Sequence, residues 1–162
     1  MSGINKEIYY VQNPAIGAAI LWRFICGYYS VEKKLVPFPL LFVALPIIFR
    51  ADLCDVITST QKRSGLSKVS EKLFQAKTNN ELYTINKASI DLRPLTLDAI
   101  RVGIACGLFD VNYETALVYP LVETSKRMKA EVNRLFNAAE KLGGWCADLS
   151  LIEICKWLKV RF

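Results

Sequence analysis

The sequence contains no histidine. This absence excludes the serine–histidine–aspartate and cysteine–histidine arrangements of hydrolases, and every zinc or non-haem iron site that needs an imidazole ligand. The chain also lacks the G-x-x-x-x-G-K-[ST] loop that binds nucleoside triphosphates and the G-x-G-x-x-G fingerprint of dinucleotide-binding folds. Enzymes that depend on a catalytic histidine or on either of these loops are therefore excluded.

Cysteine pairs with metal-binding or redox spacing are absent as well. The five cysteines are odd in number and widely spaced, and no two of them form a C-x-x-C pair: Cys26, Cys54, Cys106, Cys146 and Cys155. Most have apolar neighbours in the sequence, where a free thiol behaves as a small hydrophobic side chain. This usage predicts free thiols in a reducing cytoplasm, with no metal centre and no other cofactor.

Acidic residues are scattered rather than clustered. A nuclease or glycosidase that uses only Asp and Glu stays open at this point, because two carboxylates suffice for either chemistry. The closest pair in the apolar half is Asp52 and Asp55. Their three-residue spacing would place both on one helix face, but we favour the start of an exposed turn. The sequence thus predicts a protein that is not an enzyme.

A long uninterrupted hydrophobic run is also missing. The most apolar stretch, residues 35–49, is shorter than the roughly 20 residues of a membrane-spanning helix, and three prolines interrupt it. The apolar stretch before it contains Arg23, and Lys33 and Lys34 separate the two. This pattern favours a buried pair of helices, with a membrane segment as the alternative. The N-terminus shows no secretory signal pattern.

Apolar and basic residues are abundant. Hydrophobic residues make up 52% of the 162 positions, slightly above the usual share of about 45–50%, and the net charge is +6. The apolar excess favours a permanent interface with another protein, although a large core would also explain it. The basic residues concentrate at the end of the chain, since residues 126–162 hold eight Lys or Arg against four acids.

The basic C-terminal third favours phosphate or an acidic protein face as a partner. The candidate contacts with DNA or with an acidic partner lie near the start of the predicted C-terminal helix: Lys126, Arg127, Lys129 and Arg134. Trp157 and Phe162 are candidate protein-partner contacts, because aromatic side chains are enriched at interface hot spots. The alternative for the charges is a solvated helix face, since they alternate with acids along the helix.

The N-terminal half predicts helices separated by turns. Four helical ranges are expected, at about 14–30, 39–49, 67–76 and 79–91. Asn13 would cap the first helix, with Pro14 at its first position, and Pro46 would kink the second. The Ser- and Thr-rich residues 57–68 favour caps and turns. Thr78 and Glu81 have the spacing of a capping box for the fourth helix.

Residues 94–122 predict a helix followed by a β-hairpin. An apolar stripe recurs at helical spacing and would end near Gly107: Leu97, Ile100, Ile104 and Leu108. Strand-forming residues on both sides of Asn112 to Glu114 predict the hairpin over 108–121. This is the outline of a winged helix, most of which place a basic helix in the DNA major groove. The helix before the hairpin offers only Arg101 as a base, so the chemistry that reads DNA is missing there. The alternative function is a winged-helix-type DNA-binding protein that acts through its basic C-terminal third.

The C-terminal third predicts a long helix over about 125–149 and a shorter one after it. Its apolar residues step by four and three, which is a 3.5-residue repeat facing a partner helix: Met128, Val132, Leu135, Ala139, Leu142, Cys146 and Leu149. We favour a partner helix within the same chain. Gly143 and Gly144 would permit a close approach. Ser150 and Glu153 have capping-box spacing and open the final helix.

The sequence contains no repeat and no low-complexity linker, so we expect one domain over residues 1–162. Its fold class is mainly α, a compact helical domain with one β-hairpin and a winged-helix-like outline. Its parts are an N-terminal arm at 1–12, a buried apolar helical pair at 13–50, the helix and hairpin at 94–122, and C-terminal helices at 125–162.

The order of four stretches resembles a known family. They are NPAIGAAILWRFICGYY, PFPLLFVALPIIF, TSTQKRSGLSKVSEKL, and LTLDAIRVGIACGLF with its hairpin and the closing AEKLGGWCADLSLIEICKWLKVRF. In this order the chain resembles the middle component of three-component ABC (ABC-3C) systems, and it is similar to the accessory subunit of Lamassu-type anti-phage defence. The stretches span most of residues 13–162 and are packing patterns. Residues 81–93 and the ending KVRF depart from the family pattern.

The resemblance implies an adaptor without catalytic residues of its own. Such middle components stand between an SMC-like or Rad50-like ABC ATPase and an effector, often a nuclease, in bacterial defence against phages and plasmids. The expected partners are therefore this ATPase and an effector subunit. Any contact with DNA would be unspecific and made within the complex. No membrane and no small-molecule substrate is expected.

Overall fold

The computed structural model describes residues 13–75, 79–123 and 130–161. Within these ranges it contains eight α-helices and three short strands, which confirms the mainly α fold class. In chain order the elements are α1 (Pro14–Tyr29), β1 (Val36–Pro37), α2 (Leu41–Ile48), α3 (Ala51–Ser59), α4 (Gly65–Gln75), α5 (Asn79–Asp91), α6 (Arg93–Ala105), β2 (Phe109–Asn112), β3 (Leu117–Pro120), α7 (Ala130–Ala147) and α8 (Leu151–Leu158). Two 3₁₀ turns, Phe38–Leu40 and Lys62–Ser64, lead into α2 and α4.

Helix α1 is the centre of the core. The side-chain oxygen of Asn13 accepts a hydrogen bond from the backbone N–H of Ala15 at 3.0 Å, and Pro14 occupies the first turn, as predicted. Apolar residues are buried around most of its circumference, because α2, α6, α7 and the sheet all contact it. No helix in the described ranges is long and apolar enough to cross a membrane.

Helix α2 follows the 3₁₀ turn directly, so this segment begins near the predicted Pro39 and includes Pro46. Almost all of its side chains are buried. The preceding strand β1 was not expected from the sequence, because its two residues are too few to show an alternating pattern. It forms only through pairing with β3, where Val36 lies opposite Val118.

The prediction of turns over residues 57–68 is wrong at both ends. Helix α3 continues to Ser59 and helix α4 already begins at Gly65. The hydroxyls of Thr58 and Ser59 donate to backbone carbonyls one turn earlier, so the helix accommodates both side chains. Asp52 and Asp55 accordingly lie within α3 and do not begin a turn. The helices predicted at 67–76 and 79–91 are confirmed as α4 and α5, whereas Thr78 lies outside the described residues.

Helix α6 is confirmed, but its buried face differs from the predicted stripe. The buried residues are Thr96, Ala99, Ile100 and Gly103, while Leu97 is 37% exposed. Small residues face inward because neighbours approach closely: the ring of Phe109 occupies the space that a side chain at position 103 would need. The helix ends at Ala105, and Gly107 then adopts a positive φ of 71°.

The predicted hairpin is confirmed, and β1 completes a three-stranded antiparallel sheet of order β1-β3-β2. Val111 lies opposite Val118 in the hairpin register. The side chain of Asn112 accepts hydrogen bonds from the backbone N–H groups of Glu114 and Thr115, which closes the turn. A helix followed by a hairpin is thus present as predicted, and its winged-helix character stays a prediction.

Helix α7 packs against α1 at glycine contacts. A Cβ atom at Gly27 of α1 would collide with the backbone of Glu140, and one at Gly143 of α7 would collide with the carbonyl of Phe24. The two backbones are therefore nearly in contact. The favoured interpretation of the heptad pattern, a partner helix within the chain, agrees with this crossing. Met128 lies outside the described residues, and α7 is described from Ala130.

Helix α8 begins with the predicted capping box. The Ser150 hydroxyl accepts from the N–H of Glu153 at 3.2 Å, and the Glu153 carboxylate accepts from the N–H of Ser150 at 2.7 Å. These backbone and side-chain hydrogen bonds hold the pKa of Glu153 below its usual value.

Candidate protein interface

The basic start of helix α7 is described only in part. Lys126, Arg127 and Lys129 lie outside the described residues. Arg134 is half-exposed on α7 and forms an ion pair with Asp55 of α3. A half-exposed ion pair is worth at most about 1 kcal/mol, so Arg134 could exchange this partner for a phosphate or an acidic side chain of another molecule. Its role as a contact stays a prediction.

Asp52 and Asp55, the two acids considered as a catalytic pair, each form an ion pair with a different arginine. Asp52 accepts hydrogen bonds from Nε and Nη2 of Arg50 at 3.2 and 2.7 Å, while Asp55 pairs with Arg134. The two carboxylates are therefore held by separate ion pairs and do not form a shared site. No group of residues in the described ranges has the composition and spacing to hold a metal ion.

Two side chains of α7 hold the end of helix α3. The Lys141 ammonium group donates to the carbonyls of Ile57, Thr58 and Thr60, at 3.2, 3.2 and 2.9 Å. One turn later, the Trp145 indole N–H donates to the carbonyl of Lys62 at 2.7 Å. A cation at a helix C-terminus satisfies carbonyls that have no partner within the helix.

Lys141 is partly buried in this position. Desolvation, together with the charge of nearby Lys72, lowers its pKa. Because its hydrogen bonds all go to backbone carbonyls within the chain, we assign Lys141 a structural role. No sequence pattern predicted this role, since the hydrogen-bond partners of Lys141 lie more than 80 positions earlier.

Helix α1 carries a buried charge where it packs against α7. Arg23 is only 9% exposed, and its Nη2 pairs with Glu140 at 2.6 Å and approaches the side chain of Asn137 at 3.4 Å. Its Nε has no hydrogen-bond partner among the described residues. The arginine that interrupts the apolar stretch in the sequence thus lies in the α1–α7 contact, where it is paired.

Trp157, a predicted partner contact, is half-buried. Its ring packs against the core, and its carbonyl accepts a hydrogen bond from the Ser70 hydroxyl of α4 at 3.2 Å. A ring packed in this way offers only part of its area to a partner. Phe162, the second candidate, lies outside the described residues. Both remain predictions as contacts.

The outer face of α6 does not present a basic stripe. Arg101 is exposed but forms an ion pair with Asp98 of the same helix at 3.2 Å. The helix has one more basic residue than the sequence predicted, because it already begins at Arg93. The side of α6 that a winged helix would present to DNA is therefore almost neutral in charge.

An apolar groove that the sequence did not reveal lies beside the end of the described chain. Residues of the 3₁₀ turn, α2, α5, the start of α6 and the chain after α8 line it: Phe38, Pro39, Phe42, Val43, Asn86, Ser89, Ile90, Arg93, Val160 and Arg161. It encloses about 250 Å³. Ile90 on its edge is 54% exposed. The only sequence signal was the apolar character of Phe38 and Phe42, which equally suited a core.

The thiols have the character that the sequence predicted for them. All five cysteines are free; Cys54 and Cys146 are buried and Cys106 is exposed. Burial raises the pKa of Cys146 to about 12, and burial with the nearby Glu140 carboxylate raises that of Cys26 to about 12. Such thiols stay protonated at neutral pH and are poor nucleophiles.

The chain matches the model of a known protein family. The model of the ABC-three component (ABC-3C) system Middle Component 3 family matches residues 1–162. The chain belongs to this family. No curated protein and no solved structure matches it. The ABC-3C part of the resemblance is thereby confirmed, and membership implies association of this middle component with the other components of such a system.

Proposed function

We propose that this middle component is a non-catalytic adaptor that joins an SMC-like or Rad50-like ABC ATPase to an effector subunit. The effector in this proposal is a nuclease. The complex would act in bacterial defence against phages and plasmids. The observation that carries the proposal is the family match over residues 1–162. The resemblance to the Lamassu accessory subunit supplies the identities of the two partners.

The surface of the described residues supports a protein with more than one partner. Large apolar side chains are exposed on different elements, among them Ile90 of α5 at 54% and Ile152 of α8 at 81%. Single exposed apolar residues are normal on any protein. Their distribution over separate elements suits an adaptor, which must offer a contact to each of two neighbours.

The adaptor function is tested by reconstitution. The ATPase and the effector encoded with this chain are co-expressed with and without it, and the tagged ATPase is purified. We expect the effector to co-purify only when the middle component is present, in a defined stoichiometry. An ATPase that retains the effector equally well in its absence, or that fails to retain the middle component, contradicts the proposal.

The winged-helix outline of α6 and the sheet, with the net charge of +6, supports direct DNA binding as a second candidate. A DNA-binding chain would bind a duplex alone, and its affinity would fall steeply between about 50 and 200 mM salt. Replacing Lys126, Arg127 and Lys129 together by Ala would then weaken binding. We expect no duplex binding by the isolated chain, because the exposed face of α6 is nearly neutral; tight, salt-dependent binding would favour this candidate instead.

A further inference from the structure

The groove between α2 and α5 is apolar at its base. Phe38 and Phe42 pack edge to face, with ring centroids 5.5 Å apart, and both rings are only partly buried. Ile90 and Val160 also line the groove. The backbone N–H of Arg161 donates to the side chain of Asn86 at 3.2 Å, which fixes the residues after α8 along helix α5. The walls of the groove are thus held in place.

The surroundings of this groove are basic. A second, wider hollow of about 640 Å³ lies next to it and shares Asn86, Val160 and Arg161 among its lining residues. The side chains that line the two hollows include four cations and no carboxylate in the part of the chain that the structure describes: Arg93, Lys156, Lys159 and Arg161. An apolar base beside a cationic rim fits a ligand with the opposite arrangement, an apolar centre and acidic flanks.

We infer that this groove binds a short segment of another component of the same ABC-3C system, in which one large apolar side chain is flanked by Asp or Glu residues. The apolar side chain would lie on Phe38, Phe42 and Ile90, and the acidic flank would face Arg93, Lys156 and Arg161. This inference rests on the proposed adaptor function and specifies the chemistry of one of its contacts.

The size of the groove favours a peptide over a small molecule. Pockets for drug-sized ligands enclose roughly 300–1,000 Å³ and bury most of the ligand. The apolar hollow here is smaller and open on one side, which suits a single anchoring side chain of a longer segment. Contacts of that kind, an aromatic or aliphatic anchor in a pocket with a charged rim, carry much of the affinity at protein interfaces.

The inference is tested with overlapping short peptides that cover the sequences of the two other components. The full-length chain is titrated with each fluorescently labelled peptide, and binding is measured by anisotropy. We expect the bound peptides to contain Leu, Phe or Trp with at least two acidic residues close by, and to bind more weakly as the salt concentration rises. Bound peptides without acidic residues would overturn the inference.

Two sets of variants locate the binding site. Ile90→Asp places a charge in the apolar base and should lower the peptide affinity at least tenfold. The double substitution Arg93→Glu and Arg161→Glu should lower the peptide affinity by a similar factor and abolish the salt dependence of binding. Both arginines are exposed, so this variant tests the inference even if Ile90→Asp does not fold. Leu121→Asp is the matched control: Leu121 is 53% exposed and lies outside the groove, so this variant should bind as the wild type does.

Other occupants give different results, each of which overturns the inference. A dimer that Ile90→Asp dissociates would make a second copy of the chain the ligand. If Phe162→Ala raises the peptide affinity tenfold, the chain's own last residue occupies the groove in the wild type. Competition by duplex DNA, with no dependence on Ile90, would assign the basic rim to nucleic acid.

The reconstituted complex separates this inference from the proposed function. If the wild-type chain joins ATPase and effector and Ile90→Asp does so with unchanged affinity, the groove is not the contact, while the adaptor function stands. If the wild-type chain captures neither component, the adaptor function itself is refuted. Selective loss of one component from the Ile90→Asp complex, with Leu121→Asp unaffected, supports both.

Discussion

At the scale of single residues, two neighbouring glycines of helix α7 have opposite environments. A Cβ at Gly143 would collide with the backbone of Phe24 and lie within 3.0 Å of the Tyr28 nitrogen in α1. A Cβ at Gly144 would find its nearest neighbour, the carbonyl oxygen of Gly27, at 3.7 Å, which is an ordinary contact. The close approach of α1 and α7 therefore depends on Gly143 and tolerates a methyl group at position 144.

This difference predicts opposite effects of the same substitution. Gly143→Ala should lower the free energy of unfolding by about 3 kcal/mol or more, because backbone atoms of α1 must move to make room. Gly144→Ala should raise it by up to about 1 kcal/mol, since alanine favours the helix. Urea denaturation followed by circular dichroism measures both. Equal effects of the two substitutions would contradict the glycine-mediated crossing.

At the scale of secondary-structure elements, α7 determines where α3 ends. Lys141 and Trp145 are one turn apart on α7, and their hydrogen bonds reach the carbonyls of residues 57, 58, 60 and 62. The Lys141 ammonium group also lies 5.9 Å from the centroid of the Trp145 ring. The end of α3 and the turn after it are thus fixed by a distant helix.

Lys141→Met tests this arrangement, because methionine retains an apolar stem of similar length and cannot donate hydrogen bonds. We expect the free energy of unfolding to fall by about 1–3 kcal/mol. Amide hydrogen exchange should accelerate in residues 57–64 before it does elsewhere. Lys68→Met is the control, since Lys68 pairs among the described residues only with the exposed Glu71, an ion pair worth about 0–1 kcal/mol. Unchanged exchange in the Lys141 variant would refute the role of this side chain.

At the scale of the whole molecule, buried thiols make stability depend on pH. The pKa of Cys146 is raised from 9.0 to about 12 by burial, so the folded state retains a proton that the unfolded state loses above pH 9. Its contribution is complete below pH 9 and is lost as the pH rises towards 12. The loss amounts to about 1.4 kcal/mol per pH unit for each such thiol.

Urea unfolding curves recorded between pH 8 and pH 11 measure this effect through the urea concentration at which half of the protein is unfolded. The stability of the wild-type chain should fall as the pH rises above about 9, and Cys146→Ala should fall less steeply, because the variant lacks one of the titrating groups. Cys106→Ala, at an exposed position, should keep the wild-type slope. The slopes are compared rather than the absolute stabilities, since removing the Cys146 sulfur also leaves a small cavity. Identical slopes in all three proteins would show that folding does not raise the pKa of the Cys146 thiol.

Local chemistry was sufficient to predict many of the elements. Asn13 with Pro14, the Ser150–Glu153 capping box and the polar turn at Asn112 each satisfy backbone groups within a few residues, so the sequence alone located the starts of α1 and α8 and the hairpin. The heptad spacing and Gly143 likewise predicted a closely packed α7. Family membership also followed from sequence, since it depends on the order of such patterns along the chain.

Only the tertiary structure decided which faces these elements bury and which surfaces and grooves remain exposed. Strand β1 exists through pairing with residues 80 positions later, and α6 turns Thr96 and Gly103 inward because Phe109 and α1 come so close. The groove beside Ile90 joins α2, α5 and the residues after α8, and the pairing of Arg134 with Asp55 joins two distant helices. The physical reason is that burial and charge pairing are properties of atoms that meet in space, whereas a sequence pattern reports only on residues that are close along the chain.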